Sequence, residues 1–145
     1  MFGVAIGIAI LDRLCKLAVV RNMSLGQSIE LVRGLIYITR VFNRGAAFGI
    51  MPGKTGVFTV VALVVILIIF GIKSRLGSAG KELNAALGLV LGGAFGNLYD
   101  RLTFGGVVDF IDIRVWPAVF NVADAAIVCG VLLFAIEVYR KAERA

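Results

Sequence analysis

The sequence predicts an all-α membrane protein of four transmembrane helices, with a small extracytoplasmic β-sheet and loop cap. Of the 145 residues, 60% are hydrophobic and 17% charged, with a mean hydropathy of +0.99, against about 45–50% apolar and about 25% charged in soluble domains. The apolar residues are gathered into runs long enough to face lipid, and the basic residues lie mostly at the ends of those runs. A net charge of +6 and a pI near 9.8 therefore read as a topology signal, with no nucleic-acid partner.

The first run, Met1 to about Val20, is interrupted by Asp12, Arg13 and Lys16. It lacks a basic leader and a small-residue cleavage site, so it reads as a retained span (about 1–20), not a removable signal peptide. In the loop that follows, Leu35–Asn43 is rich in β-branched and aromatic residues and reads as a strand. Gly56 to Ile72 holds 17 consecutive uncharged residues, close to the roughly 20 that cross a hydrocarbon core of about 30 Å. The third span covers about 83–99. Gly105–Ile113 reads as a second strand, able to pair with the first. The fourth span, about 117–138, opens on Pro117, which suits a first helical turn. The chain 1–145 is thus expected to form a single integral membrane domain.

Six basic residues (Lys73, Arg75, Lys81, Arg140, Lys141, Arg144) crowd the short connector between the second and third spans and the tail. By the positive-inside rule those segments, and so both termini, are cytoplasmic. The outer ends of the first, third and fourth spans then bring together Asp12 and Lys16, Asn97, Asp100 and Arg101, Asn121 and Asp124. Asn43 and Asp109 lie in the outer loops. An ionisable group at membrane depth is a functional-site candidate by default. Asp124 is the sharpest case, being followed by twelve uncharged residues (Ala125–Ile136), although it could instead pair with Arg101 or Lys16 or cap its helix.

Several chemistries are excluded by composition. Without histidine there is no Ser-His or Cys-His nucleophile pair and no HExxH zinc site. Cys15 and Cys129 fall in apolar runs, which suggests no disulfide framework and no structural zinc. Gly49–Thr55 resembles a P-loop but is one residue short between its glycines. Gly88, Gly92 and Gly96 form one small helix face, better suited to packing than to a phosphate. A pair of carboxylates, Asp109 and Asp124, remains, with no metal or cofactor implied. Two aspartates held close do not both ionise easily, so one serves as acid while the other is a base. Asp112 would point to the face opposite Asp109, and Asp100 could be a helix-end partner of Arg101. Chemistry alone leaves two readings open: an aspartic hydrolase, and a small proton- or ion-coupled carrier using buried carboxylates. The second span has only Thr59 as a polar interior side chain, which gives a carrier no path inward.

Five motifs occur in order from Asp12 to Asp124: Asp12-Arg-Leu-Cys-Lys16, Asn43-Arg-Gly45-Ala-Ala47-Phe48, Gly92-Gly-Ala-Phe-Gly96-Asn97-Leu-Tyr-Asp100-Arg101, Gly106-Val-Val-Asp109-Phe110, and Phe120-Asn121-Val-Ala123-Asp124. Together they resemble bacterial lipoprotein signal peptidase (signal peptidase II). The resemblance implies a membrane aspartyl endopeptidase of the bacterial cytoplasmic (inner) membrane, with its active site at the extracytoplasmic face. Such enzymes cut a prolipoprotein just before a diacylglyceryl-modified cysteine. By motif position the catalytic pair falls on Asp109 and Asp124, with Asp12, Lys16, Asn43, Gly45, Asn97, Asp100, Arg101 and Asn121 binding substrate or supporting the site. The implied partners are diacylated prolipoprotein, membrane lipids and cyclic peptide antibiotics of the globomycin type. Arg13 and Cys15 depart from the family's usual glutamine and threonine.

Overall fold

The computed structural model describes residues 1–45, 55–76 and 80–143. The described residues form four helices: α1 (Phe2–Asn22), α2 (Thr55–Leu76), α3 (Lys81–Phe104) and α4 (Val122–Glu143). Three strands, β1 (Ser28–Val32), β2 (Ile36–Asn43) and β3 (Val107–Ile113), form one antiparallel sheet in the order β1-β2-β3. Among the described residues, α2 and α4 are the helices long and apolar enough to cross a membrane by length and composition. The other two carry buried charges: Asp12 and Lys16 on α1, Asp100 on α3. The motif residues Ala46, Ala47 and Phe48, and Arg144 of the tail, lie outside the described residues.

Helix α3 is the axis of the bundle and packs against each of the other helices. Lipid tails are as apolar as leucine, so helices in a bilayer associate through close backbone packing, not apolar burial. Glycines on α3 make that approach possible. A Cβ on Gly92 would lie 2.5 Å from the carbonyl oxygen of Ala5 in α1, and one on Gly93 would collide with the carbonyl oxygen of Ala123 in α4. The neighbouring glycines therefore seat one helix each, on adjacent faces about 100° apart, which leaves α1 and α4 in contact with each other. Ala62 and Ile66 of α2 complete the interior against Leu87, Leu91 and Leu98.

The sheet is fastened to the C-terminal end of α1. Val19 and Met23 pack with Phe110, Ile38 and Val108. Arg40 of β2 donates to the free carbonyls of Met23 (2.6 Å) and Val20 (3.3 Å), satisfying acceptors that a helix C-terminus leaves open. Strands β2 and β3 match the expected segments within two residues and pair with Val41 opposite Asp109 and Asn43 opposite Val107.

Two features differ from expectation. A third strand, β1, precedes the two expected; all five of its residues are exposed, and it is held by pairing with β2 across the Gly34 turn, where φ is +70°. Helix α4 begins at Val122, not at Pro117, because Asn121 caps it. The Asn121 Oδ1 accepts the N–H of Asp124 (2.9 Å), while an Asp124 oxygen accepts the N–H of Asn121 (3.3 Å), a reciprocal capping box. Pro117 lies in the turn before Phe120, whose backbone bridges to Ile111.

Candidate active site

The capping box puts the Asp124 carboxyl at the head of α4, and the pairing of β3 with β2 puts Asp109 beside it. Both line an open cavity of about 850 Å³. Its walls are mainly apolar: Phe58 from α2, Val107 from β3, Phe120, and Ile127 and Val128 from α4, with Trp116 at the rim and Arg101 on α3 as the cation. The Arg101 guanidinium lies over the Phe58 ring, 5.8 Å from its centroid.

Three asparagines hold the two carboxyls. Asp109 accepts from Asn121 Nδ2 (2.6 Å) on one oxygen and from Asn43 Nδ2 (2.9 Å) on the other. Asp124 accepts from Asn97 Nδ2 (2.7 Å). Burial first, and then the neighbouring charge of Asp124, push Asp109 up from the ordinary 3.8 to about 7; the Asn43 and Asn121 donors and the Lys16 charge pull the other way. A carboxyl placed there is an acid or a base near neutral pH.

Behind the asparagines lies a closed charge network. The Lys16 ammonium is fully buried, 2.7 Å from Asp12 and 2.9 Å from Asp100, and donates to Asn97 Oδ1 at 3.0 Å. The Asp100 contact is ionic without hydrogen-bond alignment. The second Asp12 oxygen accepts the Ala123 N–H at 2.9 Å, which satisfies an orphan donor in the first turn of α4 and ties that turn to α1. A buried lysine is tolerated because it is paired on every side.

All ten candidate residues thus fall in one place. Eight belong to a single bonded set: Asp12, Lys16, Asn43, Asn97, Asp100, Asp109, Asn121 and Asp124. Gly45 joins it by donating its N–H to Asn43 Oδ1 at 2.9 Å, and Arg101 lines the cavity. Two partnerships differ from those anticipated. Asp100 meets Lys16 and Arg13, not its neighbour Arg101, because successive residues on a helix point in different directions. Asp124 is bonded to asparagines instead of Arg101 or Lys16. Asp112 stands apart: it accepts from Thr39 at 2.7 Å and pairs with Arg114 at 3.6 Å. Sequence reasoning passed over the apolar walls, Phe58 and Trp116 among them, since isolated aromatics in an apolar chain carry no distinguishing pattern. It also passed over the Ala123 N–H, for which the spacing of Asn121 and Asp124 was the available cue.

Known proteins share this sequence and fold. Residues 4–140 match the family model described as signal peptidase (SPase) II. A lipoprotein signal peptidase from Halothermothrix orenii is 43% identical over 143 residues, covering 97% of this chain and 96% of that protein. Another from Syntrophomonas wolfei is 46% identical over 140 residues, covering 94% and 91%. A solved structure of a bacterial membrane enzyme, determined by the in meso method at 2.3 Å, superposes with a TM-score of 0.86 at 29% identity, covering 97% of this chain and 88% of that one. The chain belongs to the signal peptidase II family, a family of membrane aspartic peptidases.

Proposed function

We propose that Asp109 and Asp124 are the catalytic dyad with which this peptidase removes signal peptides from prolipoproteins, cutting before a diacylglyceryl-modified cysteine. The observation that carries this reading is the pair of carboxyls, each held by asparagine N–H groups, facing one apolar cavity. The pair shares one proton near neutral pH and titrates as a unit. Its ionised member takes a proton from water as the oxygen attacks the scissile carbonyl; its protonated member delivers a proton to the departing amine. Arg101 binds polar substrate groups at the cavity wall, and Asn43, Gly45, Asn97, Asn121, Asp12, Lys16 and Asp100 support the dyad.

All four helices span the bacterial cytoplasmic membrane in this reading, within one integral domain and with both termini cytoplasmic. The sheet and the dyad then sit at the outer face, where water meets lipid. Acyl chains of the substrate enter the apolar cavity from the bilayer, and a cyclic lipopeptide of the globomycin type competes for the same space. The test is incubation of the purified protein with a diacylated prolipoprotein and with its unmodified form. Cleavage of the lipidated protein alone is expected; equal processing of both would refute the substrate class.

A further inference from the structure

A second cavity, a groove of about 440 Å³, lies between α1 and α3 and shares no lining residue with the first. Ile10, Leu14, Phe95 and Tyr99 line it together with Arg13 and with Asp12, whose carboxyl is neutralised by the buried Lys16 ammonium at 2.7 Å. The apolar side chains are half exposed or nearly so: Ile10 53%, Leu14 59%, Phe95 44%, Tyr99 51%. In the spanning arrangement proposed above, on which this inference rests, they face lipid.

Arg13 interrupts that apolar surface. Its guanidinium sits 5.1 Å from the ring centroids of both Tyr99 and Phe104, which pack edge to face. One N–H is turned to Asp100, but at 3.5 Å, and the other Asp100 oxygen is taken more closely by Lys16. Asp12 and Asp100 both lie nearer to Lys16 than Asp100 does to Arg13. A third of the Arg13 side chain remains exposed, and its planar fork carries further donors. Tyrosine is enriched at headgroup level, and Tyr99 lies five residues before the end of α3; the anion available there in quantity is phosphate, which a guanidinium grips with two parallel bonds.

We propose that this groove binds an anionic phospholipid, with Arg13 and the Tyr99 hydroxyl on its phosphate and one acyl chain along Ile10, Leu14 and Phe95. A zwitterionic lipid offers the same chain, but its own ammonium offsets the phosphate, so charge complementarity favours the anionic one.

The test is native mass spectrometry of the full chain in detergent, titrated with phosphatidylglycerol or phosphatidylcholine. Phosphatidylglycerol should be retained about tenfold more tightly, as a charge-assisted contact warrants, and excess inorganic phosphate should not displace it. Arg13→Gln should abolish the preference. Ile10→Trp, which fills the groove and leaves the charge in place, should lower retention of both lipids, and Arg114→Gln, on the sheet, should change nothing. Equal retention of the two lipids by the wild type, or unchanged retention by both groove variants, would overturn the proposal. Prolipoprotein cleavage by the same preparations separates the two readings: loss of lipid preference with cleavage intact refutes the groove alone, and absent cleavage with preference intact refutes the protease assignment alone.

Discussion

Asp109→Asn separates chemistry from structure with magnitudes that follow from the hydrogen bonds. Each Asp109 oxygen accepts an amide N–H, from Asn121 at 2.6 Å and Asn43 at 2.9 Å. Asparagine offers one acceptor, so its own NH₂ must oppose one of those donors, and the arrangement that keeps the shorter bond strands Asn43. An unsatisfied buried donor costs about 1–3 kcal/mol. Against this, the variant no longer has to bury a carboxylate whose folded pKa stands near 7. The stability deficit should therefore be full below pH 3.8, shrink as pH climbs from there toward about 7, and stay level above it. Turnover behaves differently at every pH, because proton exchange is gone: about 10²–10⁴-fold is expected, or about 3–5 kcal/mol on the barrier. Single-turnover cleavage of a diacylated prolipoprotein, alongside thermal unfolding in detergent and a substrate-binding assay, reads the two effects apart. Asp124→Asn should behave alike in turnover, and Asp112→Asn, whose partners are Thr39 and Arg114, should stay near wild type. A folded Asp109→Asn protein with turnover within tenfold of wild type would refute the assignment, the more so if Asp112→Asn were dead.

The pH profile of kcat/KM should be bell-shaped, its alkaline limb near 7, where the pair gives up its shared proton. Because the Asp109 pKa is raised on folding, its contribution to stability is complete below 3.8 and declines as pH climbs to about 7, which unfolding scans across that window will show. Lys16→Met leaves Asp12 and Asp100 buried without their ammonium and should cost about 3–5 kcal/mol, read by thermal unfolding; the neutral triple with Asp12→Asn and Asp100→Asn should recover part of it. Gly93→Ala drives a methyl into the Ala123 carbonyl, so overpacking of about 1–3 kcal/mol should come with loss of turnover beyond its stability cost, as the head of α4 and Asp124 shift; unchanged turnover in a folded variant would refute the coupling. Chelators should leave cleavage intact, and loss with EDTA restored by zinc or manganese would overturn the dyad mechanism.

The four helices were readable because each is an apolar run longer than any strand, and β2 and β3 because β-branched residues cluster between turns. The rest depends on contacts that one-dimensional patterns do not display. Strand β1 (Ser28–Val32) buries no face of its own, so it has no periodic signature; its existence depends on the register with β2. The start of α4 was misjudged because Pro117 suits a first turn, while the cap anticipated at Asp124 was not carried through to the helix start that it sets together with Asn121. The candidate residues were gathered by convergence, on the expectation that one end of three spans meets, and eight of them do fall in one bonded set. Their pairings were not legible, because the meeting of Asp100 with Lys16 depends on how closely α1 approaches α3 at Gly92 and Gly96. Arg13 looked like a departure; in space it is a second cation on Asp100.

The asparagines explain how carboxyls can be held for chemistry without a histidine. Each has its Oδ1 occupied by a group that can only donate. The Lys16 ammonium takes that of Asn97, the Asp124 N–H takes that of Asn121, and the Gly45 N–H takes that of Asn43. An amide has one acceptor end, so every NH₂ is forced to face a carboxyl: Asn97 toward Asp124, Asn121 and Asn43 toward Asp109. The orientation is thus set by donors that do not themselves touch Asp109 or the cavity side of Asp124, the buried lysine foremost. Burial drives the Asp109 carboxyl toward its protonated form, and the amide donors of Asn43 and Asn121 draw it toward the charged one. Set against each other, they permit one shared proton at neutral pH, which is what attack by water and protonation of a leaving amine require of two carboxyls in succession.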